Sequence, residues 1–402
     1  GVSCGVDECA DETLCNRNGE CVRGAGCVCS VNPARRQLMY RFTLVGAALA
    51  LCAGPVAAAD YQIETVAEGL SNPWSLAFLP DGGMLVTERA GHLRLIGANG
   101  TLRAEPVAGV PEAFVNSQAG LMDVALAPDF AESGELFLSY SCGTLEANHT
   151  CLAAATFNGT ALENTHEIFR VQPAKRGSAH YGGRIAFLPD NTLLLTLGDG
   201  FDYREQAQNT GNHLGSIVRL NRDGSAPADN PFVAQQGTLP ELYSIGHRNV
   251  QGIVVDGEGR VFSHEHGPRG GDELNLIRAG HNYGWPKITY GVDYNGSQIS
   301  PYTELPGLEQ PLTYWVPSIA PSGMALYQGD LFPEWQGNLL ISALAGREVR
   351  RVALDGDTVS AQESLFTELG QRFRDVRSGP DGAVYLLTDS PAGKVLRVVP
   401  AN

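Results

Sequence analysis

From residue 60 onward, short apolar runs alternate with polar turns built on Pro, Asp, Asn and Gly. Ser75-Leu-Ala-Phe-Leu-Pro-Asp-Gly leads into Met84-Leu-Val-Thr-Glu, and Asp123-Val-Ala-Leu-Ala-Pro-Asp-Phe into Leu136-Phe-Leu-Ser-Tyr. Arg184-Ile-Ala-Phe-Leu-Pro-Asp-Asn leads into Leu193-Leu-Leu-Thr-Leu, and Gly252-Ile-Val-Val-Asp-Gly into Val261-Phe-Ser-His-Glu. Gly323-Met-Ala-Leu-Tyr precedes Leu339-Leu-Ile-Ser-Ala, and Asp375-Val-Arg-Ser-Gly-Pro-Asp-Gly precedes Val384-Tyr-Leu-Leu-Thr-Asp. Runs of this length bounded by turn residues read as strands rather than helices. Most copies continue into a third strand, such as Leu93-Arg-Leu-Ile or Val395-Leu-Arg-Val. A strand–turn–strand unit repeated at intervals of roughly 50–70 residues is the signature of a propeller blade. The expectation is an all-β chain folded as a six-bladed β-propeller. The opening strand, Tyr61–Val66, is expected to pair into the last blade and close the ring. Uneven spacing implies long loops between blades, where function usually resides.

Composition agrees. The chain has 402 residues, 43% of them hydrophobic, with 48 glycines and 23 prolines, which suits a large, turn-rich β core. A net charge of −16 with no basic patch argues against a nucleic-acid partner.

The N-terminus breaks the pattern. Arg35, Arg36 and Arg41 precede an apolar run from Phe42 to Ala53, and Ala57-Ala58-Ala59 follows. This is the layout of a secretory signal peptide over residues 39–59, cut before Asp60, which implies a periplasmic or secreted protein without stable membrane insertion. Residues 1–38 carry six cysteines, Cys4, Cys9, Cys15, Cys21, Cys27 and Cys29. They read either as a small disulfide module or as an upstream extension set by a misplaced start; the second is favoured, because a module ahead of a cleaved leader is lost. Residues 60–402 then form the catalytic propeller. Their charge stays at −16, since residues 1–59 hold five acids and five bases. Cys142 and Cys151 are expected to form a disulfide pinning a long loop.

Candidate chemistry concentrates in the loops. His180 stands just before the third repeat, in Ser-Ala-His-Tyr-Gly-Gly-Arg, and Asp199 lies across that repeat's hairpin in Leu-Gly-Asp-Gly. A carboxylate beside an imidazole fixes its tautomer and raises its basicity, as a general base requires. Gln118, Arg248, Asn249, Arg372 and Arg374 fall at loop-to-strand junctions of different repeats. Arginines gathered on one axis repel unless an anion lies between them. From Gly246 to Pro286, three polar, glycine-rich loops follow one another; Glu273 and Tyr283, with the carbonyls of Gly267 and Pro268, are the calcium candidates.

The motifs Gly-His-Arg-Asn-x-Gln-Gly, Glu-His-Gly-Pro-Arg-Gly-Gly-Asp-Glu, Asn-Tyr-Gly-Trp-Pro, His-Tyr-Gly-Gly-Arg and Arg-Phe-Arg-Asp-Val occur in residues 61–400. In them the chain resembles the soluble pyrroloquinoline quinone (PQQ)-dependent aldose sugar dehydrogenases of the glucose/sorbosone dehydrogenase family, which are six-bladed propellers. The resemblance implies that His180 takes the proton of the sugar's anomeric hydroxyl and that Asp199 orients it. It implies that Gln118, Arg248, Asn249, Arg372 and Arg374 hold PQQ. Gly267 and Pro268 would serve a Ca²⁺ ion at the cofactor, and Glu273 and Tyr283 a second, structural Ca²⁺. The implied partners are aldose sugars and an external electron acceptor, with the protein a monomer or homodimer. One departure is Ala345, where some relatives have a cofactor lysine; Arg347 is a possible substitute. The competing readings are a calcium-dependent propeller lactonase, which needs metal-binding carboxylates on the axis, and a non-catalytic binding propeller, which needs neither His180 nor Asp199.

Overall fold

The computed structural model describes residues 61–401, together with a short antiparallel pairing of Leu14–Cys15 with Cys21–Val22. The Cys-rich extension and the leader otherwise lie outside the described residues. The chain divides into units of residues 1–57 and 58–402, and the propeller is the second.

Six small antiparallel sheets follow one another in chain order, as the repeats predicted. Five have four strands. The first has three, Pro73–Phe78, Met84–Glu88 and His92–Ile96, and a single bridge from Ile96 to Leu102 stands in for the fourth. The last sheet, Phe373–Ser378, Val384–Thr388 and Gly393–Pro400, takes Tyr61–Leu70 as its outer strand. The ring is therefore closed by pairing the two ends of the propeller, through a strand four residues longer than expected.

The second strand of each blade explains why the repeats read as continuous apolar runs rather than alternating ones. Met84–Glu88, Leu193–Leu197, Val261–Glu265 and Leu339–Ala343 are buried at every position. A blade is covered on both faces by its neighbours, so neither side of these strands meets water.

One polar residue recurs inside each run: Thr87, Ser139, Thr196, Ser263, Ser342 and Thr388. Its role follows from a second regularity. The innermost strand of all six blades shows a register shift near its start, between Pro73 and Ser75, Leu121 and Val124, Gly182 and Ile185, Val250 and Gly252, Pro321 and Gly323, and Phe373 and Asp375. A bulge leaves backbone groups out of the ladder, and buried N–H groups need partners. In four blades the hydroxyl supplies one: Thr87, Ser139, Thr196 and Ser342 accept from the backbone N–H of Ser75, Asp123, Arg184 and Gly323 at 2.9–3.0 Å.

Cys142 and Cys151 are joined. They lie on paired strands, Glu135–Gly143 and Asn148–Phe157, so the bridge clamps the end of a hairpin rather than a long loop. Among the described residues no helix is long and apolar enough to cross a membrane.

Candidate active site

The six bulges face the propeller axis, and the residues they displace build a cavity there. Trp74, Met122, Gln251 and Arg374 are bulge residues from four blades, and all line one cavity of about 400 Å³. The third blade's bulge residue, Arg184, crosses the axis instead. Its Nε donates to the Gln251 carbonyl at 2.9 Å, and its Nη2 to the carbonyls of Ser322 at 2.8 Å and Arg374 at 3.4 Å. Its Nη1 lies 3.1 Å from Asp375 and 3.6 Å from Asp123, and the guanidinium stacks 4.1 Å over the Trp74 ring. Arg184 thus touches the inner strand of every other blade. Arg377 completes the charge balance, bonding to Asp375 at 2.8 Å and lying 3.3 Å from Asp123. The acids that reach the axis are therefore held by arginines, which does not favour the carboxylate-lined metal channel of a lactonase.

His180 and Asp199 come together as expected. His180 Nδ1 lies 2.6 Å from Asp199 Oδ1, and both side chains are buried. Asp199 also accepts from the Phe201 N–H at 2.8 Å and, through Oδ2, from Trp285 Nε1 at 2.8 Å. Burial opposes its ionisation, but the hydrogen bonds from His180 and the Phe201 N–H and the charge of Arg248 hold it below the usual carboxylate range. An ionised Asp199 makes Nδ1 the protonated nitrogen and leaves the Nε2 lone pair free to act. Burial pulls the His180 imidazole below its ordinary range, with Arg248 and Lys175 pushing the same way against Asp199. The imidazole is thus kept neutral, as a base must be.

The backbone is bent to achieve this. His180 has φ 55°, and Phe201, whose ring meets the imidazole edge-on at 5.0 Å, has φ 72°. Such conformations are costly for residues with a side chain and recur at functional sites. Gly198 makes the approach possible, since a Cβ there would lie 2.3 Å from the His180 carbonyl oxygen. Gln118 fixes the loop from the other side, accepting from the His180 N–H at 2.9 Å.

Of the five expected anion ligands, Gln118, Asn249, Arg372 and Arg374 line the axial cavity together. Arg372 and Arg374 project to the same side, with the Phe373 ring between them fully buried, as alternation along the strand predicted. Arg89 joins them. Asp389 is the one carboxylate on this wall; it accepts from Arg372 at 2.8 Å and lies 3.6 Å from Arg374. Burial and the charges of Arg184, Arg89 and Arg372 outweigh Asp389 and pull Arg374 down to about 10. Three guanidinium groups against one carboxylate is an arrangement that calls for a bound anion.

Arg248 departs from that group. Its Nη1 donates to the Gly267 carbonyl at 2.7 Å and to that of His266 at 3.2 Å, and its Nη2 reaches Tyr294 Oη at 3.2 Å. It lines a neighbouring cavity of about 280 Å³ with Pro268, Phe201, Trp285 and Tyr294. A guanidinium on the Gly267 carbonyl occupies one of the two expected calcium ligands, and like charges repel. As arranged, Gly267 and Pro268 do not fit a cation. Glu273 does. It lies opposite Glu265 in the ladder, and burial first, then Glu265 and Asp272, push it up to about 8. Asn275 donates to Glu273 at 3.3 Å, and its buried Oδ1 has no hydrogen-bond partner among the described residues. A cation between these oxygens relieves both problems. The Tyr283 phenol is not available to it, because it donates to the Leu276 carbonyl at 2.6 Å and accepts from the Arg278 N–H at 2.8 Å.

Arg347 does not stand in for the lysine missing at Ala345. Both are exposed, and Arg347 reaches the Gly370 carbonyl at 3.4 Å; Leu344 is the residue of this loop that lines the cavity. Sequence reasoning missed Trp74, Arg89, His266 and Asp389. A usable signal was present: in four repeats an acid stands within three residues after the recurring hydroxyl, as Glu88, Asp199, Glu265 and Asp389, at or just beyond the end of the second strand.

Comparison with known proteins gives the chain a family. The glucose/sorbosone dehydrogenase family model matches residues 70–397. The chain is 41% identical over 374 residues to the aldose sugar dehydrogenase YliI of Escherichia coli, covering 91% of this chain and all of that one. A crystal structure of a glucose dehydrogenase superposes with a TM-score of 0.82 at 44% identity, covering 85% of this chain and all of the other. The PQQ-bound form of an aldose sugar dehydrogenase from Streptomyces coelicolor superposes with a TM-score of 0.69 at 29% identity, over 85% of this chain and 99% of that one. A neutral, carboxylate-oriented histidine beside an arginine-walled axial cavity is thus set in a chain that belongs to the glucose/sorbosone dehydrogenase family of oxidoreductases.

Proposed function

We propose that the protein oxidises aldose sugars at the anomeric hydroxyl to the lactone, using PQQ and calcium and passing electrons to an external acceptor. The observation that carries this is the His180–Asp199 pair, joined through Gln118 and Tyr181 to a cavity whose arginine cluster has too little negative charge of its own. The PQQ-bound structural relative supports the choice of anion. Arg372, Arg374 and Arg89 would pair with the carboxylates of this flat tricarboxylate, and Asn249 and Gln118 would hydrogen-bond its edges. PQQ held there would supply a quinone able to accept the hydride of the sugar's anomeric carbon and pass its electrons to an acceptor.

The chain's own part is proton handling. His180 Nε2 accepts the anomeric hydroxyl proton as the carbonyl of the lactone forms. Asp199, held by Trp285 and Phe201, keeps the ring oriented and stabilises its protonated state. Because the imidazole is held below the ordinary histidine range, it stays ready to accept a proton in mildly acidic solution. An exported location follows the leader read over residues 39–59 and suits an enzyme that meets free sugars.

Titrating cofactor-free protein with PQQ and following the quenching of tryptophan fluorescence tests the cavity assignment. Arg374→Ala should weaken binding by about 1.5–3 kcal/mol, the loss of a charge-assisted contact. A dissociation constant equal to that of the unaltered protein would take Arg374 out of the site.

For calcium, we propose an ion on Glu273 and derive no step from one at Gly267 and Pro268. Added Ca²⁺ should raise the melting temperature of the protein but not that of Glu273→Gln, whose side chain has no charge to neutralise. An equal rise in both would place the ion elsewhere.

A further inference from the structure

Lys175 is a cation in an unusual place. It lies in the loop that leads from the second blade to His180, and its side chain is buried. Two backbone hydrogen bonds lock it to Asn148, N–H to carbonyl in each direction at 2.8 and 2.9 Å. Its stem runs under Gly200, the residue after Asp199; a Cβ on Gly200 would come within 2.7 Å of Lys175 Cδ, so a glycine there leaves room for the lysine. The ammonium stands 3.8 Å over the Tyr181 ring and donates to the Gly177 carbonyl at 3.3 Å. No salt bridge to Lys175 exists among the described residues. Buried lysines are rare and are ordinarily paired, so this one is not explained by local stability.

The charged groups around it are those of the active site. Asp199 and Asp202 act on Lys175 from the third blade's loop, and Arg248 and Lys175 both act on His180 against Asp199. His266 is the other ionisable group that feels the His180 charge. We propose that Lys175 is a positioning residue for the proposed reaction: a fixed buried ammonium whose field keeps Asp199 ionised and the His180 imidazole free of a second proton. Burial pulls Lys175 itself down to about 8, with Asp199 and Asp202 resisting, so its charge is present at neutral pH and fades in alkali.

The inference rests on His180 acting as the base, but its test does not need turnover. Histidine-labelled, cofactor-free protein is titrated by NMR, with His180→Gln identifying the His180 signal. In Lys175→Met the His180 titration should move up by roughly one unit, the effect of removing a nearby cation in a low-dielectric site. Lys175→Arg should restore it. Because the lost charge had no ion-pair partner, the melting temperature of Lys175→Met should stay level or rise, whereas a purely structural lysine would lower it. In the PQQ-loaded enzyme, the acid limb of kcat/KM should shift upward by the same amount. Lys175→Gln serves where the methionine variant does not fold. His180 titration and acid limbs that coincide in the lysine, methionine and glutamine forms would overturn the proposal. An inactive loaded enzyme with a normal Lys175 effect on His180 would instead overturn only the reading of the reaction.

Discussion

His180→Gln should bind PQQ as the unaltered protein does and turn over sugars roughly 10²- to 10⁴-fold more slowly, the usual contribution of a positioned base. Glutamine is close to the imidazole in size and can still donate to Asp199, so the loop need not collapse. What it lacks is the Nε2 lone pair. Asp199→Asn should cost less, because the imidazole remains; its Nδ1 is then held without a negative charge, and the base is weaker and less well oriented. The comparison separates the two roles: a kcat loss of equal size in both variants would mean that His180 and Asp199 act as one structural unit. Stopped-flow single-turnover rates with saturating sugar read this without interference from the acceptor.

Arg184→Met should destabilise the fold by about 3–5 kcal/mol, the range for breaking a buried pair and leaving its partner charged. Arg184 holds Asp375 and Asp123 and satisfies carbonyls on the fourth, fifth and sixth blades. Methionine fills a similar volume, so the loss is charge and hydrogen bonding, not packing. Thermal unfolding should show a fall in melting temperature of roughly 5–10 °C. Arg184→Lys should recover only part of it, since a single ammonium cannot reach the planar array of carboxylates and carbonyls that a guanidinium spans. A melting temperature within a degree of the starting protein would show that the axis is held by the blade interfaces alone.

The propeller was legible because its physics is repetitive. Each second strand, exemplified by Leu193–Leu197, lies between neighbouring blades and is largely apolar, so the blades print themselves into the chain six times. The His180–Asp199 pair was legible for a related reason. Both residues flank one hairpin, Gly182–Phe187 and Leu193–Leu197, whose register brings their ends together. Contacts between blades were less so. Nothing local says that Arg184 crosses the axis, because its partners come from strands up to 191 residues away. Trp74 and Gln251 reach the cavity only through backbone bulges, whose sequence trace is a lone Ser or Thr one strand later. Arg248 shows the limit of motif reasoning. Its position in Gly-His-Arg-Asn is right for the site, yet its guanidinium turns to the Gly267 carbonyl, a choice made by side-chain torsions and not by spacing.

The most direct measurement adds PQQ and Ca²⁺ to purified cofactor-free protein and follows reduction of a dye acceptor by an aldose, with product analysis. The account predicts no reduction without PQQ, saturation near one PQQ per chain, and one lactone formed for every two electrons delivered to the dye. Protein that binds PQQ at that ratio yet leaves the dye oxidised across a panel of aldoses, or that reduces it equally well without PQQ, would contradict it.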